Sequence, residues 1–207
     1  MPAIRADFSL YLISDRHQLP AGQSLEQVIE AALDGGVGAV QLREKDLPTD
    51  ALYELACRLR RLTRAYGARL LINDRIDIAL AAGADGVHLT EQSLPVAIAR
   101  QLLGEQRLIG VSTHALQRAS EVAEQGADFI TFSPIYATPS KAAYGAPQGL
   151  DRLREVCDRV RVPVLALGGI NAERAHEVRT AGAHGIALIS AILCARDPAA
   201  AARAFLA

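Results

Sequence analysis

The sequence predicts an α/β fold in which eight parallel strands, with outer helices between them, close into a single (β/α)8 barrel over residues 1–207. First, eight short Val/Ile/Leu-rich runs alternate with longer helical patterns, which is typical of strands buried on both faces. Second, a weak repeat, "GGVGAVQL", "AGADGVHL", "QGADFITF" and "AGAHGIAL", accompanies the second, fourth, sixth and eighth runs. Third, about 200 residues is close to the minimum length for eight such units. Together these observations indicate a TIM barrel.

The strands are predicted in chain order from eight runs. These are "SLYLIS", "AVQLRE", "RLLIND", "GVHLT", "RLIGVST", "FITFSPI", "PVLALGG" and "GIALISAI". The first helix is predicted from "SLEQVIEAALDGG", where Ser24 and Gln27 fit a capping box and the apolar residues recur at helical spacing. The second begins at the cap-like Thr49 and ends at Gly67. A doubly wound open sheet is the alternative, but no GxGxxG motif follows the first strand.

Composition narrows the class of partner. The chain has 22 basic and 23 acidic residues, so its net charge of -1 favours a small-molecule partner over nucleic acid or an anionic membrane. Cys57, Cys157 and Cys194 are far apart and form no CxxC pair, which suggests neither a disulfide framework nor a zinc site. No signal-like segment or membrane-length apolar run is present, and we expect a cytoplasmic protein. Whether the chain forms a homo-oligomer stays open.

In a barrel of this kind the active site is built from the C-terminal ends of the strands and the loops after them. Polar residues are concentrated at these positions. They are Ser14 and Asp15 after strand one, Gln41, Arg43, Glu44 and Lys45 after strand two, Asn73, Asp74 and Arg75 after strand three, Thr90 to Ser93 after strand four, Ser112, Thr113 and His114 after strand five, and Ser190 after strand eight. We expect His88, inside strand four, to satisfy a hydrogen bond in the core.

The ends of strands seven and eight predict a phosphate site. Many barrels bind phosphate with the loops after these two strands and the N-terminus of a short helix. Gly168 and Gly169 let backbone N–H groups approach an anion, and the "SAI" segment adds the Ser190 hydroxyl. The alternative is that the two glycines form only a tight turn between strand and helix.

The sixth strand leads into "FSPIYATPSK", which predicts a second place for an anion. Thr138 and Ser140 offer hydroxyl donors, Lys141 offers a positive charge, and Pro139 stiffens the segment. The loop from 136 to 148 is longer than most loops of its kind, and such loops are often lids. An ordinary solvated loop is the alternative.

Seven ordered motifs, "LYLISD", "QLREK", "IND", "GVSTH", "FSPIYATPSK", "LALGGI" and "GIALISAI", closely resemble the thiamin phosphate synthase/TenI family. The resemblance implies one of two reactions. The synthase joins hydroxymethylpyrimidine pyrophosphate to a thiazole phosphate, with Mg²⁺, and releases pyrophosphate. The tautomerase makes the ring of a thiazole carboxylate phosphate aromatic by moving a proton. For both, the resemblance implies that Gly168, Gly169, Ile189 and Ser190 bind the phosphate of the thiazole substrate.

For the synthase, the resemblance assigns Asp74 to Mg²⁺. It assigns to the pyrimidine pyrophosphate Gln41, Arg43, Lys45, Asn73, Thr138, Ser140 and Lys141, and we place Ser112 with these substrate-binding residues. The family's second metal ligand is an Asp in a segment resembling "HLGQED", but this chain has Ser93 at that position. Mg²⁺ prefers carboxylate and phosphate oxygens, so a hydroxyl there should weaken the metal site.

For the tautomerase, the resemblance gives His114 as the catalytic histidine. An imidazole has the pKa best suited to moving protons near neutral pH. Arg43 would pair with the substrate carboxylate, and no cofactor would be needed. Because Ser93 replaces a metal ligand, we expect the tautomerase, with the Mg²⁺-dependent synthase as the alternative. A non-catalytic barrel that binds thiazole phosphate is a third reading.

Overall fold

The computed structural model describes residues 6–138 and 146–207. Within them, eight parallel strands form a closed barrel in which each strand pairs with the next and the eighth pairs with the first. The strands are β1 (Leu10–Ile13), β2 (Ala39–Leu42), β3 (Arg69–Asn73), β4 (Gly86–Leu89), β5 (Leu108–Thr113), β6 (Phe129–Phe132), β7 (Val164–Leu167) and β8 (Gly185–Leu188). The predicted (β/α)8 barrel is confirmed.

Helices follow the strands along the chain. A short 3-10 turn, Arg16–Gln18, comes directly after β1. The described α-helices are α1 (Leu25–Asp34), α2 (Thr49–Ala65), α3 (Ile76–Ala81), α4 (Val96–Leu103), α5 (Leu116–Glu124), α6 (Gly149–Arg159), α7 (Ala172–Thr180), α8 (Ser190–Leu193) and α9 (Pro198–Leu206). No helix in the described ranges combines the length and apolar character needed to cross a bilayer.

The ends of the first two helices test the sequence prediction. The capping box of α1 is present, since the Gln27 N–H donates to Ser24 Oγ and the Ser24 N–H donates to Gln27 Oε1. The prediction that Thr49 caps α2 is wrong. Pro48 takes the cap position because its backbone is extended there, and Thr49 becomes the first helical residue. Its hydroxyl instead accepts hydrogen bonds from Arg75, and the helix ends at Ala65.

Two apolar layers hold the barrel together, because successive side chains of each strand point alternately inward and outward. Leu10, Leu12 and Val40 point outward and pack with the buried faces of the helices. The inward layer contains Phe8, Tyr11, Ile13, Leu71, Leu108, Phe129 and Leu165. The rings of Tyr11 and Phe129 meet edge to face with centroids 5.6 Å apart. The interior is therefore a packed core below the strand ends.

Gly110 on β5 makes room in this interior. A Cβ atom at this position would lie 2.2 Å from the Phe129 ring and 2.7 Å from His88 Nδ1, which is closer than real contacts allow. The absence of a side chain lets the His88 and Phe129 rings approach each other across the barrel, with centroids 5.7 Å apart. A buried histidine is thereby positioned directly below the candidate site.

Candidate active site

A cavity of about 350 Å³ lies beside the C-terminal ends of β2, β3 and β4. Three of the predicted site residues, Lys45, Asn73 and Asp74, line it. The other lining residues are Leu42, Glu44, Leu47, Leu52, Arg75, Thr90 and Gln92. The structure therefore brings a cation, an amide and a carboxylate together at one opening. These are the groups that a phosphate-bearing ligand with a divalent metal requires.

A chain of buried hydrogen bonds crosses the barrel below this opening. Gln41 Nε2 donates to Tyr11 Oη at 3.0 Å, and Tyr11 Oη lies 3.3 Å from His88 Nδ1. On the other side of the ring, His88 Nε2 lies 3.0 Å from Ser112 Oγ and 3.5 Å from Thr131 Oγ1. The expectation that His88 satisfies a core hydrogen bond is confirmed. The predicted residues Gln41 and Ser112 are linked through it.

Burial keeps these groups uncharged. Loss of water, assisted by the positive charge of Arg43, lowers the pKa of His88 to about 3, and burial raises the pKa of Tyr11 above its usual value. In the neutral network, Tyr11 donates its proton to His88 Nδ1, so Nε2 carries the imidazole proton and donates to Ser112. The floor of the site therefore presents hydrogen-bonding groups without charge.

A second cluster joins the ends of β1 and β2. Glu44 is buried and accepts hydrogen bonds from Ser14 Oγ at 2.6 Å, from the Arg16 N–H at 3.2 Å and from Arg16 Nη1 at 3.1 Å. Arg16 also binds Asp46 with both terminal nitrogens, at 2.6 and 2.5 Å. This pairing lowers the pKa of Asp46 and raises that of Arg16. The sequence placed Glu44 at a strand end but gave no sign of its burial.

Asp74 and Ser93 occupy the two positions that the resemblance linked to a metal. Asp74 is exposed and has a positive φ of 63°, and its backbone N–H donates to the carbonyl of His88 at 3.0 Å. Ser93 Oγ accepts a hydrogen bond from the Thr90 N–H at 2.7 Å, so it caps a turn. No cluster of three or more metal-binding side chains occurs among residues 6–138 and 146–207. The donor set fits Mg²⁺ that takes one protein carboxylate and completes its shell with substrate phosphate and water.

His114 is tied to the start of the loop after β6. Its Nδ1 lies 2.7 Å from the Ser133 carbonyl oxygen and 3.3 Å from Ser133 Oγ. The bond to the carbonyl requires a proton on Nδ1, which leaves Nε2 as the accepting nitrogen in the neutral ring. The side chain is half-buried. His114 thus connects the end of β5 to the start of the loop after β6, and its Nε2 is not used in this contact.

The predicted phosphate residues lie at the ends of β7 and β8. Gly168 and Gly169 have φ values of +103° and +66°, and a Cβ on Gly169 would lie 2.8 Å from the Ala137 carbonyl oxygen. The two glycines therefore form a tight turn that a Cβ would obstruct, and such a turn is compatible with phosphate binding by its backbone N–H groups. Ser190 is the first residue of α8, and Ile189 is its cap residue.

The described start of the loop after β6, residues 133–138, is called the loop root here. It contacts α7, which the sequence did not indicate. Tyr136 donates from its hydroxyl to Glu177 at 2.5 Å, and the Arg174 guanidinium lies 4.4 Å from the centre of the Tyr136 ring. Arg174 also donates to the Gly169 carbonyl at 2.8 Å. Burial together with the Glu177 contact raises the pKa of Tyr136 to about 12. These contacts join the loop root to the glycine turn.

The segment predicted to clamp an anion is described only in part. Thr138 is half-buried at the end of the described loop root. Ser140 and Lys141 lie outside the described residues, as does most of the predicted lid from 136 to 148. The two ends of that loop are close together, because Gln148 N–H donates to the Pro134 carbonyl at 2.7 Å and Gly149 N–H to the Ile135 carbonyl at 3.0 Å.

This arrangement matches a known family. The family model described as thiamine monophosphate synthase matches residues 10–192, which span all eight strands. The chain belongs to the thiamine monophosphate synthase family. The family resemblance of the seven motifs is thereby confirmed, and with it the expectation of an enzyme of this family.

Individual members of the thiamine monophosphate synthase family are similar over nearly the whole chain. A Geobacter sulfurreducens protein named "Putative thiamine-phosphate synthase" is 60% identical over 203 residues, covering 98% of this chain and 95% of the relative. The thiamine-phosphate synthase of Chloroflexus aurantiacus is 47% identical, covering 95% of this chain and 90% of the relative. The solved structure of thiamine phosphate pyrophosphorylase from Pyrococcus furiosus superposes with a TM-score of 0.87 at 37% identity, covering 96% of this chain and 94% of that one.

These relatives of the thiamine monophosphate synthase family do not support the tautomerase expectation and favour the synthase alternative instead. The tautomerase expectation depended on Ser93 standing in place of a metal ligand. Ser93 keeps a role in the turn after β4, while Asp74 stays at the cavity with Lys45 and Asn73. One carboxylate with substrate phosphate is a common way for proteins to hold Mg²⁺, so the loss of a second one does not exclude the metal.

Proposed function

We propose that this chain is a thiamine-phosphate synthase, which joins hydroxymethylpyrimidine pyrophosphate to thiazole phosphate and releases pyrophosphate. The observation that carries the proposal is the meeting of Lys45, Asn73 and Asp74 at one cavity, which is also lined by Glu44, the residue after Arg43. A proton transfer on a single thiazole phosphate does not require this many polar groups beside a separate phosphate site. Both substrates are small molecules, and we place the reaction in the cytoplasm.

The leaving pyrophosphate would occupy the cavity between β2 and β3. As the C–O bond to the pyrimidine carbon breaks, both bonding electrons move to the pyrophosphate oxygen. The charge that gathers there would be stabilised by Arg43 and Lys45, together with Thr138, Ser140 and Lys141 from the loop after β6. Fixed donors of this kind make the largest contribution to the rate enhancement of many enzymes. Asn73 would add an amide hydrogen bond. Mg²⁺ held by Asp74 would neutralise further charge on the leaving group.

The pyrimidine ring would lie against the uncharged floor. Gln41 and Ser112 are held in place by Tyr11 and His88, and their free lone pairs and protons suit a neutral heterocycle with ring nitrogens and an amino group. Because His88 is neutral, it does not repel an electron-poor carbon forming above it. The thiazole phosphate would bind at Gly168, Gly169, Ile189 and Ser190, on the opposite side of the barrel mouth.

The proposal is tested by product analysis. The purified chain is incubated with both substrates and Mg²⁺, and thiamin phosphate and pyrophosphate are measured by chromatography. We expect equal amounts of the two products and none after Mg²⁺ is removed with EDTA. Formation of no thiamin phosphate, with the substrates bound, would refute the synthase assignment.

The tautomerase is a second candidate because His114 is half-buried beside the mouth with an accepting Nε2. In that reaction His114 would move the proton and Arg43 would pair with the substrate carboxylate. Aromatisation of the thiazole carboxylate phosphate in EDTA, without any thiamin phosphate in the complete synthase mixture, would favour this candidate.

A further inference from the structure

Glu44 lies between Arg43 and Lys45 in the sequence, the two cations after β2 that we assign to the pyrophosphate, and its carboxylate is buried. The Glu44 side chain is only 1% exposed, whereas its neighbour Lys45 is exposed and Arg43 is half-buried. A carboxylate beside a bound pyrophosphate repels it, and burying that charge costs free energy unless it is paired. An unpaired Glu44 carboxylate would therefore weaken the binding of pyrophosphate.

Among the described residues, the hydrogen-bond partners of the Glu44 side chain are Ser14, directly after β1, and Arg16 in the 3-10 turn that follows. Ser14 Oγ donates at 2.6 Å, and Arg16 donates both its backbone N–H and its guanidinium. Arg16, which Glu44 shares with Asp46, pairs with the Glu44 carboxylate within the protein. The negative charge is thus used to join β1 to β2 and does not face the cavity unpaired.

The Ser14 hydroxyl links the Glu44 carboxylate to the backbone of Arg43 by two hydrogen bonds. A hydroxyl has one proton, and Ser14 gives it to Glu44, so a lone pair of the same oxygen accepts the Arg43 N–H at 2.8 Å. The Ser14 N–H in turn donates to the Gln41 carbonyl at 2.9 Å. Ser14 therefore fixes the backbone from the Gln41 carbonyl to the Arg43 N–H, and its bond to the Glu44 carboxylate fixes the residue after Arg43.

We propose that Glu44 is a positioning residue for the pyrophosphate group of the substrate. It acts through Ser14 and Arg16 to hold the backbone of residues 43–45, so that Arg43 and Lys45 reach the same anion together. This inference deepens the proposed function and rests on it. A small displacement of a positioned group lowers binding or rate strongly even when the group itself is retained.

The test compares three single variants. Glu44→Gln keeps the shape of the side chain but replaces one accepting oxygen with a donor, and Ser14→Ala removes the relay to Arg43. Asp46→Asn is the matched control, since Asp46 also binds Arg16 but is exposed and has no contact with Ser14 among those described. For each we would measure the Kd of inorganic pyrophosphate by calorimetry in Mg²⁺ and the KM of both substrates.

We expect Glu44→Gln and Ser14→Ala each to raise the pyrophosphate Kd and the KM for the pyrimidine pyrophosphate by about tenfold or more. The KM for thiazole phosphate should stay within about twofold, because that substrate binds across the barrel mouth. Residues that act through one relay are not additive, so a double variant that combines Glu44→Gln with Ser14→Ala should be no worse than the more severe of the two single variants. Asp46→Asn should match the wild type within about twofold.

Two outcomes would overturn the inference. One is a lower melting temperature in Glu44→Gln and Ser14→Ala with the pyrophosphate Kd unchanged, which would make the cluster purely structural. The other is an equal loss in Asp46→Asn. If Glu44→Gln does not fold, Ser14→Ala decides by the same criteria. Failure of the proposed function is distinguishable, since the wild type would then bind pyrophosphate without forming thiamin phosphate, and the Kd comparison would still test Glu44.

Discussion

At the scale of single residues, position 93 shows how one side chain changes the expected chemistry without changing the fold. The Ser93 hydroxyl caps the turn after β4 through the Thr90 N–H, a contact that an Asp side chain at this position could also make. What changes is the charge available to a metal. With Asp74 as the carboxylate that the proposal assigns to the metal, Mg²⁺ would depend on the substrate for its remaining anionic ligands.

This dependence predicts the metal affinity of the chain and of Ser93→Asp. Without pyrophosphate, the wild type should bind Mg²⁺ weakly in a calorimetric titration, and Ser93→Asp should bind it about tenfold or more tightly, because a second carboxylate is added. With pyrophosphate present, the difference should shrink. An unchanged Mg²⁺ affinity in Ser93→Asp without pyrophosphate would show that position 93 does not face the metal.

His88 predicts how the stability of the protein depends on pH. Its pKa is about 3 in the folded chain and returns to the ordinary value in the unfolded chain, so below that ordinary value the unfolded state binds the additional proton. Its contribution therefore favours folding at pH 7 and is lost as the pH falls toward 3. Between pH 7 and 5 this amounts to about 2 kcal/mol in the free energy of unfolding.

The measurement is urea unfolding at pH 7 and at pH 5, in the wild type and in His88→Gln. The variant will be less stable at pH 7, because a core network is disrupted, but it should lose less stability on acidification. An equal loss in both proteins would mean that His88 is not held neutral by burial.

At the scale of elements, the sequence was informative where periodicity or strand order decides the structure. Local patterns predict the eight strands and the α1 capping box, and the rule that active sites lie at the C-terminal ends of barrel strands predicts that Lys45, Asn73 and Asp74 meet at one end. The burial of Glu44 and the Tyr136–Arg174 contact were not predicted. Both arise from contacts between separate loops, and such contacts leave no period in the sequence. Thr49 was misjudged as a cap because Pro48 competes for the same position.

The glycine turn after β7 gives a prediction with a matched control. Gly169→Ala should lower the melting temperature and raise the KM for thiazole phosphate by about tenfold, because the new Cβ would displace the loop root at Ala137. Gly67→Ala has nearly the same φ, +67° against +66°, but meets nothing within 4 Å. It should therefore carry only the backbone cost, about 1 kcal/mol, and leave the KM unchanged. Equal kinetic effects in both variants would contradict the assigned thiazole phosphate site.

At the scale of the whole molecule, the barrel itself says little about the reaction. A 3-hexulose-6-phosphate synthase has the same fold, with a TM-score of 0.67 at 24% identity, so function has to be argued from the strand ends. The sequence was sufficient for the fold and for the family. It ranked first the reaction that the relatives support less, because one missing carboxylate was weighed above the cations of the motifs. The meeting of Lys45 with Asn73 and Asp74 at one cavity becomes visible only once the strands close.

The central claim is that Arg43, Lys45 and Lys141 stabilise pyrophosphate as it leaves. A paired assay on one preparation tests this claim most directly. One sample contains hydroxymethylpyrimidine pyrophosphate, thiazole phosphate and Mg²⁺, and the other contains the non-aromatic thiazole carboxylate phosphate with EDTA. We predict thiamin phosphate in the first sample and no ring aromatisation above the uncatalysed rate in the second. Aromatisation in the second sample with no thiamin phosphate in the first would contradict the account.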